Sequence, residues 1–304
     1  MPNNSEVSIT IGRPQPKQVE FMRAKARYIA YGGARGGGKT WAVRAKAHIL
    51  AAKYPGIKIL IMRKTFPELE TNHIVPLKKL SNDCAEYREA KKTLYYVNGS
   101  VIIFGFMSAA SDIDRYQGQE YDVIFIDEAT QFAEVVFTKL KPCVRGTNSF
   151  PKRIYLTCNP GGIGHSWVKR LFIDRIYRDE EDPDDYVFIG AKVTDNAELV
   201  RSDPEYVRVL ESLPDGLREM WLEGRWDVTA GSYFSEFDRE ANVISPIVCE
   251  SWGKYYCAID YGLDALAAVV VAIDGSGNEY VVRELEQSGL VVSEAARALH
   301  TLVS

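Results

Sequence analysis

The chain has 304 residues, of which 46% are hydrophobic and 26% are charged, so its composition is that of a globular protein with room for one large domain or two smaller ones. The net charge of −4 hides an asymmetry, because residues 1–150 carry 22 basic and 14 acidic side chains whereas residues 151–304 carry 15 and 27. The basic half is compatible with nucleic acid or nucleotide phosphates as partners, and equally with a solvated surface that has none.

The sequence lacks the signals of a membrane or secreted protein. No apolar run reaches the roughly 18 residues of a membrane span. Residues 1–13 have no apolar signal core, and the five scattered cysteines include no C-x-x-C pair. We therefore expect an intracellular protein with free thiols, no membrane partner and no zinc site.

Hydrophobic patterns predict strands and helices that alternate over the first 175 residues. Strands are predicted at 28–32, 57–62, 121–126 and 153–157, with a hairpin at 93–97 and 101–106 around Asn98-Gly99. Helices are predicted at 14–25, 41–53, 68–80, 132–143 and 167–173. This alternation favours a parallel sheet covered by helices on both faces.

The remaining third of the chain has a different organisation. The acidic run at 178–185 is interpreted as a solvated loop, and a helical pattern at 203–223 is interrupted at Pro214. Residues 227–251 show little periodicity and are interpreted as a linker. A second set of strands follows at 255–259, 266–273 and 279–285, with a helix at 292–302. We expect one domain over 1–226 and the beginning of another over 252–304.

A glycine-rich loop after the first strand matches G-x-x-x-x-G-K-[ST] in the strand–loop–helix context that this motif requires. The loop consists of Gly33, Ala34, Arg35, Gly36, Gly37, Gly38, Lys39 and Thr40. Glycines let backbone N–H groups approach phosphate oxygens, and the helix N-terminus adds free donors and a partial positive charge. Lys39 is expected to reach the β- and γ-phosphates and Thr40 to ligate Mg²⁺. The alternative is a glycine-rich turn without a ligand.

Polar side chains also follow two later apolar strands of this domain. Asp127 and Glu128 end the strand at 121–126, where the first acid is expected to hold Mg²⁺ and the second to polarise the attacking water. Asn159 ends the next strand, where its amide is suited to a γ-phosphate or to that water, although Asn-Pro-Gly-Gly also makes a simple turn. Gln18 lies about twenty residues before Lys39, and its amide matches the donor and acceptor edges of adenine; a surface glutamine is the alternative.

Together these motifs resemble the large terminase subunit of tailed bacteriophages. The resemblance rests on Gln18, the glycine loop, Ile-Asp-Glu-Ala (126–129) and Thr-Cys-Asn-Pro-Gly-Gly (157–162). It is strengthened by residues 164–172, Trp-Leu-Glu-Gly-Arg-Trp (221–226) and Gly-Ser-Tyr-Phe (231–234). The ordered set covers residues 15 to about 285. It implies a RecA-like P-loop ATPase domain followed by the start of an RNase H-like nuclease domain.

The resemblance implies an ATP-driven motor that moves double-stranded DNA into a procapsid. The implied partners are DNA, the portal protein, a small terminase subunit and further copies in a ring, all in the cytoplasm of the host cell. Thr157, Asn159 and Pro160 fall in the motif that couples hydrolysis to movement. Arg35 occupies a slot of the loop where terminases commonly place an arginine, which contacts the γ-phosphate or couples hydrolysis to movement.

A ring also implies an arginine finger supplied by a neighbouring subunit, since such a finger stabilises the charge of the transition state. Arg115 is the first candidate and Arg145 the second, and a surface arginine is the alternative for either. Asp260 falls where RNase H-like nucleases place their first metal-binding aspartate, for Mg²⁺ or Mn²⁺. The sequence stops at Ser304, before the other family acids, so we interpret it as truncated and expect it not to cut DNA alone.

Two other functions compete with the packaging motor. A RecA-like helicase shares the Asp-Glu-Ala motif, but it needs a second RecA-like domain, and residues 251–304 offer an acid-tipped strand set instead. A nucleotide-binding assembly module with negligible turnover is the alternative from outside the enzymes.

Overall fold

The computed structural model describes residues 11–108, 110–228, 242–245, 254–262, 265–288 and 290–303. The chain divides into two compact units, Met1–Tyr233 and Phe234–Ser304. Most of the predicted linker at 227–251, and all of the 231–234 motif, lie outside the described residues. Within the described part of the chain, no helix is both long enough and apolar enough to cross a bilayer.

The first unit contains eight strands and a series of helices. The strands are β1 (Tyr28–Gly33), β2 (Lys58–Arg63), β3 (Ala85–Arg88), β4 (Thr93–Tyr96), β5 (Val101–Phe106), β6 (Val123–Ile126), β7 (Arg153–Cys158) and β8 (Tyr186–Ala191). The helices are α1 (Pro16–Arg23), α2 (Lys39–Lys53), α3 (Phe66–Leu69), α4 (Val75–Leu80), α5 (Glu134–Leu140), α6 (His165–Val168), α7 (Ala197–Ser202), α8 (Pro204–Glu211) and α9 (Asp215–Arg218). Single π-helical turns lie at Glu70–Ile74, Lys169–Ile173 and Glu219–Glu223.

The eight strands form one sheet in the order β3-β4-β5-β2-β6-β7-β1-β8. The six strands from β5 to β8 along this order pair in parallel, and only the β3-β4-β5 end is antiparallel. The predicted parallel α/β domain is confirmed. Because the carboxyl ends of parallel strands meet at one edge, the loops after β1, β6 and β7 come together there.

Two hydrophobic cores cover the two faces of the sheet. Alternate residues of β6 divide between them, with Ile124 and Ile126 in one core and Val123 and Phe125 in the other. Side chains of a strand alternate between faces, so a strand buried on both sides is apolar at every position. This explains why the sequence at 123–126 is continuously hydrophobic.

The structure corrects the sequence-based elements in three places. The sequence predicted neither β3 nor β8, and β8 is an edge strand of mixed burial that follows the acidic run. The helix expected at 68–80 is α3 and α4 joined by the π turn Glu70–Ile74. The acidic run is not wholly solvated, because the Glu181 side chain is only 6% exposed.

The second unit contains a three-stranded antiparallel sheet and one helix. The strands are β9 (Lys254–Tyr261), β10 (Ala265–Ile273) and β11 (Glu279–Ser288), in the order β11-β10-β9, and the helix is α10 (Val292–Val303). Three strands followed by a helix are consistent with the start of a nuclease domain.

Candidate functional site

A cleft of about 540 Å³ lies at the carboxyl edge of the large sheet. Its walls come from the loop between β1 and α2, from the ends of β2, β6 and β7, and from the segment after β8. The lining residues include Arg35, Gly36, Gly37, Gly38, Lys39, Thr40, Trp41, Arg63, Glu68, Glu128, Gln131, Asn159, Asn196, Leu199 and Tyr206. The predicted phosphate loop, acid and amide thus share one cavity.

The loop backbone is held by close contacts that exclude larger residues. Gly38 caps α2 with a φ of +72°, and a Cβ there would lie 2.4 Å from the Gln18 Nε2 atom. Gly36 has a φ of +77°, and its Cβ would lie 2.9 Å from the Tyr206 ring. Positive φ and close approach both require glycine, so the motif glycines fit their positions.

The Lys39 ammonium group links the loop to the end of β7. Nζ donates to the Ala34 carbonyl at 2.5 Å and to Asn159 Oδ1 at 2.7 Å. Burial lowers the pKa of Lys39, while the nearby charges of Glu128 and Asp127 favour its protonated form. A buried cation at the loop is well placed to meet the charge of a phosphate.

Asp127 is fully buried and is surrounded by donors. Thr157 Oγ1 donates to Oδ1 at 2.6 Å, and His73 Nε2 lies 2.9 Å from Oδ2. Arg63 Nε forms an ion pair with Oδ2 at 3.3 Å. Burial would raise the pKa of Asp127, but His73, Arg63 and Thr157 hold it well below its usual range. Asp127 is therefore a carboxylate at neutral pH.

Glu128 is the adjacent acid, and its environment acts in the opposite direction. Its backbone adopts φ +59° and ψ +53°, a left-handed conformation that costs of order 1 kcal/mol in a non-glycine residue and recurs at functional sites. The carboxylate accepts from Asn159 Nδ2 at 2.9 Å and lies 3.8 Å from Arg63 Nη2. Burial and the charge of Asp127 raise the pKa of Glu128. This makes it a stronger base than an exposed glutamate.

Two oxygen donors at this edge are suited to a divalent cation. Thr40 Oγ1, at the start of α2, and Asp127 Oδ2, directly after β6, are 3.5 Å apart. Hydroxyl and carboxylate oxygens are hard ligands of the kind that Mg²⁺ prefers. The donor set therefore fits the predicted magnesium site, which stays a prediction.

Gln18 lies beside the phosphate loop, and both ends of its amide already have partners. Nε2 donates to the Gly38 carbonyl at 3.1 Å, and Oε1 accepts from the Gln15 N–H at 2.8 Å. The side chain is buried and ties α1 to the phosphate loop. Its role toward adenine stays a prediction.

The Arg35 side chain packs on Trp221, whereas the motif suggested a contact with the γ-phosphate. Its guanidinium lies 3.5 Å from the centroid of the Trp221 ring, and its backbone N–H donates to the Trp221 carbonyl at 2.7 Å. Its contact with a γ-phosphate stays a prediction. Pro160 is buried directly after Asn159, and the coupling role of this motif is also a prediction.

The two candidate arginine fingers are exposed, and neither is among the residues that line the cleft. Arg115 pairs with Asp112 at 2.9 Å, and Arg145 pairs with Glu120 at 3.1 Å. Asp260 is exposed on β9, opposite Ala267. Within the described ranges, no three histidine, cysteine or acidic side chains gather to hold a metal ion. The roles of Arg115, Arg145 and Asp260 stay predictions.

Two residues of the site were missed by the sequence analysis. Arg63 ends β2 after the apolar run 57–62, so the argument that identified Asp127 at the end of β6 would have found it. His73 lies inside a helical pattern, and no sequence signal distinguishes it from a core residue. Only the tertiary structure brings it to Asp127.

The mostly parallel sheet and its glycine loop define the class of the first unit, which is a P-loop ATPase fold. Residues 30–241 match the family model described as "Terminase large subunit, T4likevirus-type, N-terminal". The chain belongs to this family. It contains the large-terminase ATPase domain of phage DNA-packaging motors.

Solved structures of large terminases share the fold. The large terminase of a thermophilic bacteriophage, solved with ADP, has a TM-score of 0.58 and 19% identity, and the match covers 95% of this chain and 73% of that one. The same terminase with ATP-γ-S has a TM-score of 0.57 and 18% identity, with coverage of 95% and 73%. The large terminase ATPase domain of Thermus phage P74-26 has a TM-score of 0.52 and 16% identity, with coverage of 70% and 94%. Comparison with curated proteins found no match.

Proposed function

We propose that this chain binds ATP with Mg²⁺ in the cleft, hydrolyses it, and uses the energy to move double-stranded DNA into a procapsid. The observation that carries the proposal is the Asn159 amide, which joins Lys39 and Glu128. Its Oδ1 accepts from Lys39 and its Nδ2 donates to Glu128. The Asn159 side chain therefore contacts both Lys39, which is expected to bind the phosphates, and Glu128, the expected base.

The chemistry assigns a separate task to each side chain of the cleft. Lys39 and the loop N–H groups bind and neutralise the phosphates. Thr40 and Asp127 would hold the cation, which would offset the charge that develops on the γ-phosphoryl group. Glu128 accepts a proton from the water that attacks the γ-phosphate, and its raised pKa supports that role. Asn159 transmits the state of the nucleotide to the segment that begins at Pro160.

The motor and its partners extend this proposal beyond the cleft. The family implies a ring of these subunits on the portal protein, with a small terminase subunit that recognises the viral DNA, in the host cytoplasm. The ADP and ATP-γ-S structures of the related terminase support nucleotide binding at this fold. For the second unit we propose the start of an RNase H-like nuclease with Asp260 as one ligand of Mg²⁺ or Mn²⁺.

Lys39→Ala tests the site directly. We expect it to abolish binding of a fluorescent ATP analogue, because the loop loses its buried cation. Lys53→Ala is the matched control, since Lys53 is exposed at the other end of α2, and it should bind as the wild type does. Unchanged binding by Lys39→Ala would refute the assignment.

Glu128→Gln separates nucleotide binding from ATP turnover, when both are measured on the same variant. The amide keeps the size of the side chain but cannot accept the proton, so turnover should fall by about 10²- to 10⁴-fold while the analogue still binds. A wild type that binds ATP but shows no turnover, even at concentrations that favour assembly, would instead support a nucleotide-binding assembly module.

A further inference from the structure

His73 is a buried side chain that contacts the expected metal ligand. It lies in the π turn Glu70–Ile74, is 0% exposed, and places Nε2 2.9 Å from Asp127 Oδ2. Because an ionised carboxylate only accepts hydrogen bonds, Nε2 must carry the proton of this contact. π turns inside helices occur often at functional sites.

The contacts of Asp127 differ in how strongly they fix its orientation. Thr157 holds Oδ1, whereas Oδ2 faces Thr40 and meets both His73 and Arg63. Arg63 Nε lies near enough for an ion pair, but it has no hydrogen-bond partner among the described residues. A hydrogen bond depends on direction much more than an ion pair does. His73 therefore makes the directional contact with the oxygen that faces Thr40.

The π turn is braced so that His73 keeps this position. Arg44 of α2 donates to the Asn72 carbonyl, and Asn72 Nδ2 donates to the Glu68 carbonyl at 2.8 Å. Helix α2 also carries Lys39 and Thr40 at its start. One helix thus positions the phosphate loop and the turn that holds His73.

We propose that His73 is a positioning residue that sets the orientation of Asp127 toward Thr40 and so the affinity of the nucleotide site for its divalent cation. The inference rests on the proposed function, because it assumes that the cleft takes a nucleotide with a cation. Side chains that orient a metal ligand commonly contribute about 10- to 100-fold to metal affinity.

The test measures the affinity of the full chain for ADP by calorimetry, at one pH, in EDTA and in saturating Mg²⁺. The wild type should bind more tightly with Mg²⁺. His73→Leu should bind ADP in EDTA as tightly as the wild type does. The increase in ADP affinity that Mg²⁺ gives should be about tenfold smaller in this variant than in the wild type. His73→Gln, whose amide can donate in place of Nε2, should restore most of that gain.

His48→Leu is the matched control for a merely structural role. His48 is also buried, at 1% exposure, and its Nδ1 lies 2.8 Å from the Tyr96 hydroxyl; neither residue is among those that line the cleft. We expect this variant to lose thermal stability and to keep the full gain from Mg²⁺. If His73→Leu does not fold, His73→Asn takes its place, because its shorter amide does not reach Asp127 as glutamine does.

The outcomes separate the inference from the proposed function. A wild type that binds no ADP in either condition refutes the proposed function and the inference with it. If Mg²⁺ raises the ADP affinity of the wild type and of the His73 variants by the same factor, the inference alone is overturned. The inference is also overturned if His48→Leu loses as much of this Mg²⁺ effect as His73→Leu does, since the effect would then be one of general packing.

Discussion

Asp127 and Glu128 are neighbours in the chain, yet their carboxyl groups meet opposite electrostatic environments. Hydrogen bonds and cations around Asp127 outweigh its burial and lower its pKa. Glu128 is left with burial and the charge of Asp127, which raise its pKa. Two acids whose pKa values move apart can take two roles, one as a charged ligand and the other as a base.

Glu181, another acid whose side chain is largely buried, yields a pH-dependent prediction about stability. Hydrogen bonds from Arg170, at 2.7 and 3.1 Å, lower the pKa of Glu181 to about 2 against its burial. Glu181→Gln should reduce the free energy of unfolding by about 2 kcal/mol at pH 7, as measured by urea denaturation. A lowered pKa stabilises the fold above the ordinary glutamate range, so the difference should shrink as the pH falls from about 4.5 toward 2.

Glu180→Gln is the control for this measurement, since Glu180 is the exposed neighbour in the same acidic run. It should leave the free energy of unfolding within about 0.5 kcal/mol of the wild type. A difference for Glu181→Gln that stays constant from pH 7 to pH 3 would contradict the ion-pair explanation.

At the scale of elements, the phosphate loop is enclosed by segments that are distant in sequence. Gln18 of α1 bonds to the Gly38 carbonyl, and Asn196 Nδ2 donates to the Gly36 carbonyl at 2.7 Å. Trp221, in the last π turn, accepts from the Arg35 backbone. These contacts restrain the loop backbone, and a restrained binding loop loses less conformational entropy when a ligand binds.

Gly224→Ala tests this enclosure. Gly224 follows that π turn with a φ of +73°, and a Cβ there would lie 2.7 Å from the Ala34 nitrogen. The methyl group must displace the loop backbone, so nucleotide affinity should fall by about tenfold or more in a binding titration.

Gly118→Ala is the control that separates displacement of the phosphate loop from the backbone strain of an alanine at positive φ. Gly118 has a similar φ of +79°, but a Cβ there meets nothing within 4 Å. It should cost about 1 kcal/mol of stability and leave nucleotide affinity unchanged. Equal losses of affinity in the two variants would show that strain, and not contact with the loop, is responsible.

At the scale of the whole molecule, the candidate arginine fingers lie outside the cleft of their own subunit. Arg115 is 66% exposed and pairs with Asp112 on the same short helical turn. We propose that Arg115 acts on the site of another subunit, which is how a ring of ATPases supplies such a residue.

Arg115→Ala should reduce ATP turnover by about 10³-fold and leave ATP binding unchanged. Mixing it with Glu128→Ala subunits should restore part of the turnover, because each variant supplies the residue that the other lacks. Arg88→Ala, a matched exposed arginine paired with Glu86, should turn over ATP normally. If mixing restores nothing, Arg115 has no role in trans, and Arg145→Ala becomes the next variant to measure.

Much of the fold followed from local patterns. Largely apolar runs at 57–62, 121–126 and 153–157 belong to strands buried on both faces, and such a strand can be predicted from its own residues alone. Strand β8 was missed because it is an edge strand of mixed burial, which weakens the pattern. The π turn was missed because one extra residue in a helix leaves little trace in hydrophobic spacing.

The sequence by itself determined the family, the parallel α/β domain and the residues at the strand ends, because spacing along the chain specifies the phosphate loop and the acids. Only the tertiary structure decided which distant side chains contact the phosphate loop and the acids. Arg63 and His73 reach Asp127, and Trp221 reaches Arg35, across 54 to 186 positions of the chain. Contacts at such separation arise from packing on the sheet, which no local pattern records.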